Sequence, residues 1–375
     1  MERLYTRARA LCEQVGEQSQ LFRVLWGLWM VGNSRGEYLT LQALGEQLLS
    51  LAQRLHDPDL LLVAHHALWA TSFFGGEFTA SRAHQEQGLQ LYEPQRHRTY
   101  VALYTGHDPG VCCRMDAALS LWFLGYPDQA IASLQAALAL AQQLAHPLSL
   151  AFALWWAAVL HHLRREAPLT QARAEAAMAI ATEQGFPLQY SQAALLRGWA
   201  LAESGRGEEG KAQIQQGLAA YRATGAMGLR PYHLALLAEA SAKGGQIAEG
   251  LEALAEALAT VARSTARWWE AELYRLRGEL LVMRGTGKGG SRTAPTETSM
   301  VAEAEACFQQ ALGVARRQQA KSLELRATMS LSRLWQRQGK SHAARQVLAE
   351  VYAWFTEGFD TPDLQEAKAL LEALA

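Results

Sequence analysis

A period of forty residues constrains this chain more than any other feature. Its anchors are Gly36, Gly76, Gly125, Arg165, Gly205, Gly245, Ser299 and Gly339, spaced by 40, 49, 40, 40, 40, 54 and 40 residues. The 49 is the period plus a nine-residue insertion. The 54 is the period plus fourteen, and Gly285 stands where the anchor falls without it. A unit of this size cannot bury its apolar face alone, so stacking of neighbouring units must supply the core.

The offsets say what each unit is. Thirteen residues past the anchor stand Leu49, Leu89, Leu138, Met178, Leu218, Leu258, Leu312 and Tyr352, all large and apolar. Twelve past it the residues are mostly small (Gly88, Ala137, Ala177, Gly217, Ala257, Ala311), as they are five past it (Ser81, Ala130, Gly210, Gly250, Ala304, Ala344). Steps of 4, 3 and 1 between such positions put them on one stripe of a helix. The unit is therefore helix A, a tight turn at the anchor, and helix B. Asp57–Pro58, His146–Pro147, Phe186–Pro187 and Arg230–Pro231 open A helices, where proline's missing N–H costs nothing.

A small residue in helix A, glycine at the turn and small–large–small in helix B resemble the tetratricopeptide repeat, with 40 residues in place of 34. The fold class expected is all-α: an α-solenoid of about eight helix–turn–helix repeats. The resemblance implies a right-handed superhelix with the A helices lining its concave face. The repeats fall at about 18–55, 58–91, 110–144, 147–184, 187–223, 231–263, 267–318 and 320–357, in one solenoid spanning 1–375. Residues 1–16 read as the lone B helix of a truncated repeat, so a fragment of a longer protein, or a product split from upstream domains, is expected. The alternative is a native start whose first helix is the cap. Residues 361–375 read as a C-terminal capping helix. Residues 92–110 hold the first insertion, and 285–298 (GTGKGGSRTAPTET) read as a flexible, disordered loop.

Several segments are also similar to the C-terminal repeat region of bacterial signalling proteins that carry a class III adenylate/guanylate cyclase domain and a signal-transduction (STAND-type) NTPase domain. They are HDPGV (107–111), LGYPDQA (124–130), LRGWALAESGRGEEG (196–210), RPYHLALLAEA (230–240), RWWEAELYRLRGELL (267–281) and WFTEGFDTPDLQEAKALLEAL (354–374). That resemblance implies a sensor or regulatory region whose catalysis belongs to other domains.

The 35 Lys and Arg against 36 Asp and Glu leave a net charge of −1, and no long basic run is present. Phosphate backbones need clustered cations, so nucleic acid is not expected as a partner. Cys12, Cys112, Cys113 and Cys307 form no C-x-x-C pair, which suggests neither a disulfide framework nor a zinc site and fits a reducing cytoplasm. The N-terminus shows no signal-type apolar run, and the longest apolar stretch, 150–160, is too short for a bilayer, so no membrane partner is expected.

No catalytic motif is found. GTGKGGS (285–291) lacks both the glycine five residues before the Gly–Lys pair and the hydroxyl residue after the lysine that a phosphate loop requires. His65–His66 and His161–His162 are adjacent, so neither pair faces one ion from a helix. His107 with Cys112 and Cys113 is a metal candidate across the insertion, against which structural or groove-lining histidine is preferred. No Gly-x-Ser-x-Gly elbow occurs. The expectation is no enzyme, no metal and no cofactor.

Offsets transferred from tetratricopeptide repeats place Trp26, His66, Phe73, Met115, Trp122, Trp155, His162, Trp199, Glu239, Arg275 and Arg333 toward the groove. It would be aromatic and apolar in the first five repeats and charged in the last three. Aromatic and arginine side chains are the usual anchors of binding hot spots. The expected ligand is a protein or peptide partner, including upstream NTPase or cyclase domains of a parent protein, or a small effector. Aromatic stripes also serve as core where units curl tightly, and the spacing leaves both readings open. Two other functions stand beside this one. The first is an enzyme fragment or small-molecule-binding helical toroid, with an acid–base set near His66, His162 and Glu239. The second is a structural scaffold that self-associates.

Overall fold

The computed structural model describes residues 2–97, 101, 106–264, 266–286 and 297–375. The described residues form helices and turns, with no strand among them. Helix α1 (Glu2–Val15) leads into antiparallel pairs: α2 (Gln18–Arg35) with α3 (Tyr38–Leu55), and α4 (Pro58–Gly75) with α5 (Phe78–Leu91). A one-turn helix, α6 (Pro94–His97), lies in the first insertion. The pairs resume with α7 (Pro109–Phe123) and α8 (Pro127–Leu144), α9 (Pro147–Leu163) and α10 (Ala167–Gln184), and α11 (Pro187–Glu203) and α12 (Gly207–Ala223). They continue with α13 (Arg230–Lys243) and α14 (Ile247–Ser264), α15 (Glu270–Thr286) and α16 (Glu297–Arg317), and α17 (Lys321–Arg337) and α18 (Ser341–Tyr352); α19 (Pro362–Ala373) follows. The chain is thus an all-α solenoid of tetratricopeptide-like helix pairs.

The longer period has a local cause. Many helices run 17 or 18 residues and the turns between partners are short, so each unit exceeds the 34-residue repeat mainly in helix length. The anchor glycines at 36, 76, 125, 205, 245 and 339 have φ between 76° and 94°, and Arg165 takes the same left-handed conformation at 62°. Ser299 differs from the register read in the sequence. It lies inside α16 rather than at a turn, and the connection from α15 crosses 287–296. The disordered reading of the second insertion falls largely on residues outside those described, as do 98–100 and 102–105 of the first.

B helices bury one stripe: α8 contributes Ala130, Leu134, Ala137, Leu138 and Ala141. The A helices α4, α7 and α9 are buried over most of their length, α7 everywhere from Pro109 to Phe123 except Arg114. The reason is that successive coils of the superhelix touch. Ser34 O accepts the Met227 N–H at 2.9 Å, Phe74 O the Arg267 N–H at 2.8 Å, and Trp122 O the Ser322 hydroxyl at 2.5 Å. Glu357 Oε1 caps α8 from the far end of the chain, accepting from the Asp128 N–H at 2.9 Å and the Gln129 N–H at 3.1 Å. Leu163 O likewise accepts from the Arg326 guanidinium. The A–B turns of the first four repeats are thereby docked on segments four or five repeats further on, and much of the inner faces of their A helices is covered.

Candidate functional site

The coils do not meet everywhere. A cavity of about 530 Å³ remains between α9, α11, α13, α15, α17 and α19. His162, Trp199, Glu239, Arg275 and Arg333, each from a different A helix, line it. This is the part of the expected groove that stays open, and it gathers all the charged positions read there from the sequence.

Its walls carry a continuous ion-pair network. Arg275 meets Glu272 at 2.7 Å and Glu279 at 3.5 Å. Arg326 reaches Glu272 at 3.6 Å and Asp363 at 2.7 Å, and stands 5.0 Å over the Trp122 ring. Arg165 bridges to Asp363 at 3.2 Å and Glu366 at 2.8 Å, and Arg333 holds Glu366 at 2.8 Å. Burial works to raise the Glu272 carboxyl, but Arg275 and Arg326 beside it bring it below its ordinary value. For Glu366 too, burial is outweighed by Arg165 and Arg333. These carboxylates are ionised and paired, an arrangement suited to binding charge rather than to moving protons.

At the other wall the Trp199 indole N–H donates to Glu239 Oε2 at 2.7 Å, and Glu239 Oε1 lies 3.8 Å from His162 Nε2. The Tyr232 hydroxyl is 2.9 Å from His162 Nδ1. His162 and Glu239 are thus brought together, whereas His66 is not with them.

The remaining candidates from the sequence are packed elsewhere. Trp26, Phe73, Met115 and Trp122 are buried core residues. Phe73 lies among Phe78, Phe123 and Trp268, and Trp26 stacks on Trp29 at 4.9 Å. His66 and Trp155, also buried, line a second and smaller cavity of about 280 Å³. There His66 stacks on Trp69 at 4.6 Å and His107 on Phe152 at 4.3 Å. Cys112 Sγ lies 3.5 Å from His66 Nε2 and 3.4 Å from Asp116 Oδ2. Burial, with Asp116 adding to it, pushes the Cys112 thiol up, so it is no activated nucleophile. Burial also raises Asp116 to about 7, against the indole N–H of Trp69 donating at 2.9 Å.

Sequence reasoning missed Glu272, Arg326, Asp363 and Glu366, the partners that complete the charged network. One signal was present: Arg165 at a turn where six anchors are glycine. In the structure its side chain bridges to Asp363 and Glu366.

The helix pairs give the fold of a tetratricopeptide-like, all-α solenoid. No protein-family model matches the chain. An uncharacterised protein of Rhizobium meliloti (strain 1021) is 29% identical over 289 residues, which are 76% of this chain and 28% of that relative's length. Among solved structures, a Rap protein complexed with competence and sporulation factor is similar at a TM-score of 0.57 and 11% identity, over 95% of this chain and 98% of that one. A chain of the APC/C hetero-tetramer Cut9–Hcn1 gives 0.53 at 14% identity, over 98% and 59%. IFIT1, a monomeric mutant with Gppp-AAAA, gives 0.52 at 12%, over 93% and 72%. At such identities the likeness is one of fold.

Proposed function

We propose that this chain is a binding scaffold that takes a short polar peptide, the exposed end of a protein partner, in the cavity lined by His162, Trp199, Glu239, Arg275 and Arg333. One observation carries the reading: side chains from five A helices and α19 converge on one hollow. Its size is within the range of ligand pockets, roughly 300–1,000 Å³. Its charges alternate, with Arg165, Lys243, Arg275, Arg326 and Arg333 against Glu203, Glu239, Glu272, Glu279, Asp363 and Glu366. A ligand bearing both signs, such as a peptide end with a charged side chain, can exchange for these internal pairs. The solved Rap protein of similar fold holds competence and sporulation factor, which favours the same use of the fold here.

No catalysis is assigned to these residues. The chain spans 28% of the length of its Rhizobium relative. With the segments resembling cyclase and STAND-type NTPase proteins, this supports a regulatory role within a longer signalling protein, where occupancy of the cavity would govern an upstream domain. The test is a random short-peptide library passed over the immobilised chain, with bound species read by mass spectrometry. Wild type should enrich a defined set that Arg333→Ala and Glu239→Gln both lose. Equal enrichment by all three proteins, or none by wild type, would overturn the reading.

A further inference from the structure

The second cavity supports an inference independent of the charged one. His66 on α4, His107 in the first insertion and Cys112 on α7 each offer a ligand atom, and these atoms lie within 4.8 Å of one another. We propose that His66, His107 and Cys112 form a binding site for a borderline-soft divalent metal ion of the zinc class, at the wall of the aromatic cavity.

The geometry is close to what such an ion requires. Zinc bonds of roughly 2.0–2.1 Å to nitrogen and 2.3 Å to sulfur, at tetrahedral angles, put N and S about 3.6 Å apart. His66 Nε2 and Cys112 Sγ stand at 3.5 Å. Drawing in His107, whose ligand atom is within 4.8 Å of the others, needs only a small ring shift.

Both imidazoles are held by stacking, His66 on Trp69 and His107 on Phe152, so little freedom is lost on binding. Asp116 Oδ2, fixed by the Trp69 indole, stands 3.4 Å from the cysteine sulfur. The adjacent Cys113 is turned away and donates to Gln85 O at 3.2 Å. Two nitrogens and a thiolate select against magnesium and calcium, which take oxygen.

His66 is buried, yet its Nδ1 has no hydrogen-bond partner, an arrangement that asks for an explanation. An ion on Nε2 would fix the tautomer with the proton on Nδ1. Three protein ligands leave a fourth position for water or for an effector in the cavity. Binding takes the thiol to thiolate, and the proton leaves to solvent.

The test is titration of the full chain with Co²⁺ and Zn²⁺. One equivalent of Co²⁺ should produce intense tetrahedral d–d bands and a thiolate charge-transfer band, both displaced by Zn²⁺. Cys112→Ser and His107→Gln should each weaken Zn²⁺ binding at least about tenfold, and Cys112→Ser should abolish the charge-transfer band, with far-UV circular dichroism unchanged. Cys113→Ser should keep it. His65 and His84, whose Nδ1 atoms are 3.0 Å apart on a neighbouring face, are the competing donors. Uptake lost in His84→Gln but kept in Cys112→Ser would overturn the proposal, as would no stoichiometric uptake by wild type.

Discussion

His233 shows what single residues cost in this fold. It is 1% exposed, its ring edge-on to Tyr221 at 4.5 Å, and neither imidazole nitrogen has a partner. Burial, with Arg230 adding to it, lowers its pKa from 6.5 to about 3. Above the unfolded value both states are neutral and the residue is silent. As pH falls below it, the unfolded chain takes up a proton that the folded chain refuses, so stability is lost, by about 2 kcal/mol at pH 5 for this group. His65, lowered to about 4 by burial and by His84, acts in the same direction. Urea midpoints measured from pH 7 to pH 5 should therefore fall steeply, and His233→Leu should flatten part of that slope. Trp122 is the second case. It is buried beneath Arg326, so Trp122→Ala should destabilise by about 3–5 kcal/mol in the same assay. A loss of ligand binding without a loss of stability would contradict the core position described above.

At the scale of the element, α19 is more than a cap. Leu364, Ala367 and Leu370 cover the apolar end formed with Leu325, Met329 and Leu348, while Asp363 and Glu366 complete the cavity network. Removing residues 361–375 should raise amide hydrogen exchange in α17 and α18 well above that in α2–α5. It should also abolish peptide enrichment by the charged cavity. The helices themselves were readable in the sequence, because a glycine turn and an apolar stripe are local signals within one unit. The cavity was readable only by halves. Offsets within a unit located His162, Trp199, Glu239, Arg275 and Arg333, since each faces inward from its own A helix. Asp363 and Arg326 meet Arg165 and Leu163 through the coil, and no local pattern encodes a contact between coils. The same blindness left open whether Trp26, Phe73 and Trp122 face a groove or a core. That depends on the pitch, which sums small rotations over many units.

At the scale of the molecule, coil-to-coil contact separates this solenoid from one whose units touch only their neighbours. Gly36 and Gly228 mark a close approach: a Cβ on Gly36 would lie 3.3 Å from the Gly228 Cα, and one on Gly228 would lie 2.9 Å from the Tyr38 hydroxyl. Gly228→Val should wedge these coils apart. X-ray scattering should then report a larger radius of gyration with helicity nearly intact. An unchanged radius would mean that the seam between coils tolerates a side chain.

That seam also bears on how such a chain can change over generations. An open array can gain or lose one unit by duplication or deletion, because every junction is equivalent. Here the turn at Phe74 must find Arg267, and the start of α8 must find Glu357. Dropping any single unit between them would bring the wrong loops face to face. Length variation is therefore steered into the segments between helices, such as those after α5 and after α15, which add residues without removing a helix pair.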